Sequence, residues 1–334
     1  MLRRTLAILL ALLLSLSAHG QKERHFTFHY SFAVKNLPSR KPVRVWIPLA
    51  HSDGWQDVHV LSQKGEVVLK KTQEPEYGNW MLYAEIPRAD KPEYRFAIDY
   101  DVVRRERVVL ANGKPSPDFH PNTTHIQLAR FLQPDRLVPI TGLPAQLAVE
   151  QTKGAVTQME KARAIYDYVF HNMRYDKTGT GWGHGDTLWA CDSKRGNCTD
   201  FHSLFISMAR SQHIPARFEI GFQLPAEKHS AEVPGYHCWS DFYVNSIGWI
   251  PVDISEAWQH QELHDYYFGA HDANRMQFTV GRDLRLEPPQ ASPPLNYFVY
   301  PYVEVGDKEY PNVEISFSFE DASPGRGSIG GQSH

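Results

Sequence analysis

The chain has 334 residues, with 35 Lys and Arg against 38 Asp and Glu, and its formal net charge is −3. This length is enough for two domains with a core each, and no basic run or basic–aromatic patch indicates a nucleic-acid partner. Three cysteines are too few for a disulfide scaffold, and one thiol stays free if the other two pair.

Residues 1–20 have the pattern of a secretory signal. Two arginines supply the positive charge, Leu6 to Leu16 form an apolar run, and small residues follow it. The apolar run is shorter than the roughly 20 residues that a membrane-spanning helix needs. Cleavage after Ala18 or Gly20 fits the pattern. The sequence therefore predicts an exported protein, periplasmic or secreted, with no membrane anchor after cleavage.

Residues 21–110 predict an N-terminal β-sandwich. Apolar and polar side chains alternate over 26–34, 43–47, 80–86 and 96–102, as half-buried strands require. Proline and glycine residues separate these segments. Six or so short strands with one apolar face each are typical of a sandwich.

Residues 111–154 predict a linker, because a turn-rich loop and scattered prolines precede a short helix that we place between Pro144 and Glu150. Thr157 and Glu160 then match a capping box, which predicts a helix that ends near Asn172. We expect a second domain over 155–320. The Gly/Ser-rich tail, 321–334, is predicted to be disordered.

A cysteine at the start of a helix is the centre of the second domain. Phe201, Leu204, Phe205 and Met208 have the spacing of one buried helix face. Cys198 lies in the first turn, on the border of that face, where the positive end of the helix dipole favours thiolate over thiol. A cysteine in this position is suited to act as a nucleophile.

Two later segments can complete a site around this cysteine. His237 can take the thiol proton and return it to a leaving group, and the carboxylate of Asp253 can fix the imidazole's tautomer. Gly-x-Cys at a helix start, His-x-Trp on a strand and Gly-Trp-x-x-x-Asp on the next resemble, in this order, the transglutaminase-like superfamily. The resemblance covers about 155–260. It implies an α+β, papain-like core with Cys198 as nucleophile, His237 as base and then acid, and Asp253 as the residue that orients His237.

The resemblance implies acyl transfer from an amide through a thioester, with a protein or peptide as substrate and no cofactor. The enzyme would be a peptidase or amidase, or a protein-glutamine acyltransferase. Two alternatives stay open: a non-catalytic module that binds a peptide or glycan, and a zinc protein. His260, His264 and His271 match no tight zinc motif. We therefore expect them on the surface, with no metal.

The Gly-rich, aromatic loop 174–196 is predicted to form one wall of the cleft. Trp182 or Trp189 could donate an indole N–H to an oxyanion, although a packed tryptophan in a flexible loop is an equal alternative. The resemblance adds the backbone amide of Cys198 as an oxyanion donor. Four residues beside the nucleophile and the histidine are expected to line the cleft: Gly196, Asn197, Tyr236 and Trp239.

Two geometric expectations complete the site. An oxidising compartment and an odd cysteine count favour a disulfide between Cys191 and Cys238, which would leave Cys198 free. Asp253 reaches His237 only if the hairpin between them has an odd loop, of three or five residues centred on 245, or a β-bulge. The same register turns Cys238 away from the cleft.

Overall fold

The computed structural model describes residues 22–111, 113–117, 119 and 128–323. The predicted signal peptide, 1–20, and residues 324–334 of the predicted disordered tail, 321–334, lie outside these residues, whereas Asp321 is the last residue of a strand. Among the described residues, no helix is long and apolar enough to cross a membrane.

The described chain has an α+β fold, as the sequence predicts. Its strands are, in chain order, β1 (Glu23–Val34), β2 (Val43–Pro48), β3 (Gln56–Gly65), β4 (Lys70–Gln73), β5 (Trp80–Ile86), β6 (Tyr94–Arg105), β7 (Arg107–Val108), β8 (Leu110–Ala111), β9 (Lys114–Pro115), β10 (Arg174–Tyr175), β11 (Arg195–Gly196), β12 (Ala216–Gln223), β13 (Ser230–Glu232), β14 (His237–Val244), β15 (Gly248–Val252), β16 (Ala270–His271), β17 (Arg275–Val280), β18 (Tyr302–Val305), β19 (Lys308–Glu309) and β20 (Val313–Asp321). Its α-helices are α1 (Leu143–Gln151), α2 (Gln158–Asn172), α3 (Thr187–Ser193), α4 (Cys198–Ser211) and α5 (Ile254–Gln259).

Two five-stranded antiparallel sheets contain the N-terminal strands. The first has the order β13-β20-β1-β6-β3 and the second the order β19-β18-β2-β5-β4. Alternate side chains of β1, including Phe26 and Phe28, are fully buried, which follows from the two-residue period of a strand. Strands from the other end of the chain complete both sheets, since β20 pairs with β1 and β18 pairs with β2. By their position in the sequence, β18 and nearly all of β20 fall in the predicted second domain, 155–320, although they complete the sheets of the predicted first domain, 21–110. The division into domains stays a prediction.

The second part is built around α4, which packs on β12 and β14 of a four-stranded sheet of order β15-β14-β12-β17. The capping box of Thr157 and Glu160 is present, and α2 ends at Asn172, as predicted. The sequence predicts one buried face for α4, but every residue from Cys198 to Arg210 is buried. The reason is that α1, α2, α3 and α5 pack around the helix on the sides that the sheet leaves open.

Aromatic side chains of β1 join the two parts. The ring centroid of Phe28 lies 5.1 Å from that of Phe222 on β12, and the ring of Tyr30 lies 5.7 Å from that of Phe278 on β17. All four residues belong to one continuous hydrophobic core. The N-terminal sheets are therefore packed directly against the sheet that carries the site.

Candidate active site

The start of α4 is fixed by a second capping box. The Asn197 side chain accepts a hydrogen bond from the amide of Thr199, at 3.0 Å, and Asp200 accepts one from the amide of Asn197, also at 3.0 Å. Asp200 accepts two more from the amides of Gly183 and Gly185, at 2.7 and 3.0 Å. The Gly-rich loop is thus tied to the first turn of the helix.

Gly196 has room for no side chain. Its φ is 150°, and an added Cβ would overlap with the carboxylate of Asp200. The chain can therefore enter the helix beside this carboxylate only with a glycine two residues before Cys198.

A three-residue loop places Asp253 on the same face of the hairpin as His237. Strands β14 and β15 pair Val244 with Gly248, which leaves 245–247 as the loop. The centre of this loop is 246 rather than the expected 245, so His237 and Asp253 are diagonal neighbours and not directly opposed. His237 Nε2 and Asp253 Oδ2 are 2.8 Å apart. The predicted odd loop and the predicted hydrogen bond are both confirmed.

Electrostatics in the site favour a thiolate beside an imidazolium. Burial raises the pKa of Cys198, but hydrogen bonds with Cys238 and His237, together with the positive charge of His237, hold that pKa well below its ordinary value. Burial lowers the pKa of His237, but Asp253 and the thiolate of Cys198 raise it well above its ordinary value. Since Nε2 faces Asp253, Nδ1 is the ring nitrogen left for Cys198.

Two buried residues that we did not predict lie around Asp253: one binds its carboxylate and the other binds the backbone amide that follows it. Arg275 donates from Nη1 to Asp253 Oδ2 at 3.1 Å and from Nη2 to Asp272 Oδ2 at 2.9 Å. His202 Nε2 accepts the amide N–H of Ile254 at 3.1 Å, and burial lowers the pKa of His202, which keeps this ring neutral. His202 stands four residues after Cys198 on one helix, so its spacing could have identified it. The local sequence around Arg275 contains no such signal.

Of the four predicted cleft residues, Tyr236 lines a groove, whereas Gly196, Asn197 and Trp239 do not. The hydroxyl of Tyr236 lies 2.9 Å from Thr199 Oγ1 and accepts from Asn197 Nδ2 at 3.0 Å, so Asn197 holds Tyr236 as well as capping α4. Trp239 is fully buried and donates from Nε1 to Glu219 Oε2 at 2.6 Å. Trp239 is therefore part of the packed core behind the hairpin, whereas Tyr236 faces the groove.

The two tryptophans proposed as oxyanion donors lie in the Gly-rich loop and in α3. The indole N–H of Trp182 donates to the carbonyl of Gly179 at 3.1 Å, so this donor is engaged within the loop. The ring of Trp189 lies under the guanidinium of Arg195, 5.8 Å from its carbon. The amide of Cys198 lies in the first turn of α4, at the end of the helix where backbone N–H groups have no intrahelical partner.

A groove of 1170 Å³ opens beside His237. Tyr236 and Glu256 line it together with the histidine, and so do Lys22 and Arg24 from the start of the N-terminal sheet. The Arg24 guanidinium donates to the Pro225 carbonyl at 3.1 Å, which holds the loop after β12 against that sheet. The groove thus lies between the two parts of the fold.

All three cysteines lie among the described residues and all are free, so the predicted bond between Cys191 and Cys238 is not formed. Cys238, which was expected to turn away from the cleft, is fully buried and does not line the groove, but it packs against α4. Its Sγ lies 3.7 Å from Thr199 Oγ1, because β14 begins beside the first turn of α4. Burial and the neighbouring Cys198 raise the pKa of Cys238 well above its ordinary value, so this thiol stays protonated.

The described residues contain no group of three or more His, Cys, Asp or Glu side chains arranged to hold a metal ion. Of the three histidines expected on the surface, His271 is an exception. It is fully buried, with its ring 5.7 Å from that of Trp239. His271 lies in β16 and pairs with Arg107 of β7, a strand pair that the sequence did not predict.

Comparison with known proteins identifies the class of this core. Residues 145–254 match the model of the transglutaminase-like superfamily. The resemblance inferred from Cys198, His237 and Asp253 is confirmed, and the chain carries a transglutaminase-like core.

Two similar proteins span most of the chain. An uncharacterised protein of Haemophilus influenzae is 27% identical over an alignment 318 residues long, and the alignment covers 84% of this chain and 85% of that protein. The crystal structure of a candidate cysteine protease from Cytophaga hutchinsonii superposes with a TM-score of 0.59 at 15% identity. That superposition covers 91% of this chain and 92% of the other, and it shows that the two proteins share a fold.

Proposed function

We propose that the chain is an exported cysteine enzyme that acts on amide bonds of proteins or peptides through a thioester with Cys198. The observation that carries the proposal is the 2.8 Å contact between His237 Nε2 and Asp253 Oδ2, next to a cysteine at a helix N-terminus. A carboxylate in this position fixes the tautomer and orientation of the imidazole and stabilises its protonated form. The opposite nitrogen of the ring is then directed at the thiol.

The proposed reaction has two half-reactions. The Cys198 thiolate attacks the amide carbonyl carbon, and the oxyanion that forms is held by the amide of Cys198 at the N-terminus of α4. His237 gives its proton to the departing amine, the C–N bond breaks, and a thioester remains. Water or a second amine then attacks the thioester while His237 takes its proton, and the thiolate is released. For an exported chain we favour water as the acceptor, which makes the enzyme a peptidase or amidase.

Export is supported by the sequence of residues 1–20, in which two arginines precede the apolar run Leu6 to Leu16. Substrates of a periplasmic or secreted enzyme are the proteins and peptides of that compartment. The groove of 1170 Å³ is larger than most small-molecule sites, which supports a peptide rather than a single amino acid as substrate.

The test is alkylation of the protein with iodoacetamide over a range of pH, read by mass spectrometry at each cysteine. We expect Cys198 to be labelled selectively, with a rate that stays high well below pH 8.5, where an ordinary thiol loses its thiolate form. Cys198→Ala should remove the labelled peptide. His237→Ala should move the profile of Cys198 back toward that of an ordinary thiol. A profile that already resembles a free thiol in the unmodified protein would favour the non-catalytic binding module.

A further inference from the structure

A buried carboxylate lines the groove beside the proposed catalytic pair. Glu256 belongs to α5 and shares the groove wall with His237. Only 7% of its side chain is exposed. Gln223 Nε2 donates to its Oε2 at 2.8 Å and Gln259 Nε2 donates to its Oε1 at 2.9 Å. The two amides hold the carboxylate in one orientation, and each oxygen keeps capacity to accept another donor.

This carboxylate differs from its acidic neighbours in forming no ion pair with a Lys or Arg side chain. Asp253 and Asp272 both bind Arg275. Among the described residues, no Lys or Arg nitrogen lies within 4.0 Å of Glu256, and the half-exposed His260 is 3.8 Å away. Burying a charge is costly, and burial raises the pKa of Glu256 although the positive charges of His237 and Arg275 act in the opposite direction. A cation that enters the groove would relieve this cost.

We propose that Glu256 binds a primary ammonium group of the substrate in the groove beside His237, and so determines which amide substrates reach Cys198. An ammonium group supplies three donors and a positive charge, which match the free acceptor positions of a fixed carboxylate. The inference rests on the proposed chemistry at Cys198. The ammonium group belongs either to the peptide that is cleaved or to an amine that accepts the acyl group.

The test uses the thiolate itself as the reporter, so that no natural substrate is needed. Methyl methanethiosulfonate and its cationic analogue, 2-aminoethyl methanethiosulfonate, both react with a thiolate. In each case the thiolate sulfur forms a disulfide with the reagent and methanesulfinate departs. The measured quantity is the ratio of the two rate constants at Cys198, followed by mass spectrometry. Any general change in the reactivity of the thiolate cancels in this ratio.

In the unmodified protein the cationic reagent should react faster at Cys198 than the neutral reagent, relative to their rates with a free thiol. Glu256→Gln should lower that preference by about tenfold, the effect of losing roughly 1.4 kcal/mol from a charge-assisted contact. The matched control is Glu262→Gln, which removes the same charge from a side chain that is 74% exposed. The control should leave the ratio unchanged.

An unchanged ratio in Glu256→Gln would overturn the assignment, and so would an equal fall in Glu262→Gln, which would mean a diffuse charge effect. Neither result would contradict the proposed function, because the test of that function is the labelling of Cys198 by iodoacetamide. Competition then separates the two sources of the ammonium group. Protection of Cys198 by tetra-alanine amide, but not by its acetylated form, assigns the group to the cleaved peptide. Protection by butylamine assigns it to an acceptor. Protection by neither would also count against Glu256 as the ammonium site.

Discussion

Replacing Asp253 with Asn tests how far one carboxylate supports both the fold and the proposed pair. Oδ1 accepts from the Ser255 hydroxyl and from the amide of Glu256, both at 3.1 Å. Oδ2 accepts from His237 Nε2 at 2.8 Å and from Arg275 Nη1 at 3.1 Å. An Asn that keeps the contacts of Oδ1 must point its NH₂ group at these two donors. Two charge-assisted hydrogen bonds are lost and a fully buried guanidinium loses one of its carboxylates.

Breaking a buried ion pair from one side costs about 3–5 kcal/mol, and we expect Asp253→Asn to lower the free energy of unfolding by that amount. Urea denaturation at pH 7 measures it. The matched control is Asp265→Asn, whose carboxylate is 78% exposed and binds Arg163 at the surface, and it should cost less than about 1 kcal/mol. In parallel, the alkylation profile of Cys198 should shift to higher pH. A loss of less than about 1 kcal/mol for Asp253→Asn would refute the reasoning, since Asp272 alone would then satisfy Arg275.

Three further predictions concern the nucleophile, its ionic partner and the sheet. Cys198→Ala should abolish amine release from a peptide mixture and lower the free energy of unfolding by only about 1 kcal/mol. Activity within tenfold of the unmodified protein would exclude Cys198 as the nucleophile. Because the pKa of Cys198 is lowered and that of His237 raised, the folded pair holds one proton across the neutral range, whereas the unfolded pair holds two below about pH 6.5 and none above about pH 8.5. The stability that the pair contributes should therefore be greatest between about pH 6.5 and 8.5 and fall on both sides. Denaturation of the unmodified protein and of the double variant Cys198→Ser/His237→Asn, compared at each pH, measures this contribution. A contribution that rises steadily with pH would contradict the prediction. Gly221→Ala should lower the free energy of unfolding by about 1–3 kcal/mol, because its Cβ would overlap with the carbonyl of Met276 on the next strand. Gly54→Ala is the control and should be nearly neutral, since nothing lies within 4 Å of the added Cβ. Equal effects of the two changes in thermal denaturation would contradict the close approach of the strands.

Local patterns predicted the elements that carry the site, because those patterns have local causes. Thr157 and Glu160 mark the start of α2, since both partners of a capping box lie within one turn. The odd length of the hairpin loop, though not its centre, followed from a parity rule that needs only the positions of His237 and Asp253. The place of Cys198 in the first turn of α4 was likewise readable from apolar spacing.

Features that depend on distant segments were missed. Arg275 reaches Asp253 from a strand 22 positions later, and nothing in its neighbourhood marks it as an ionic partner. Strand alternation gave the face of Cys238 but not the helix α4 beside it, and the predicted bond to Cys191 is absent. His271 was assigned to the surface because β7, the strand that pairs with it, has only two residues and no readable pattern.

The position of β1 between β6 and β20 has a consequence for the order of folding. A ribosome makes β1 near the beginning of the described chain and β20 at its end, so the first sheet cannot close until nearly the whole chain is available. Phe317 of β20 also packs on Phe222 of β12, with ring centroids 4.5 Å apart. The sheet beneath the nucleophile therefore reaches its final packing only when this last strand docks. Asp321, at the end of the same strand, lines the groove beside His237, so this groove is completed late in folding.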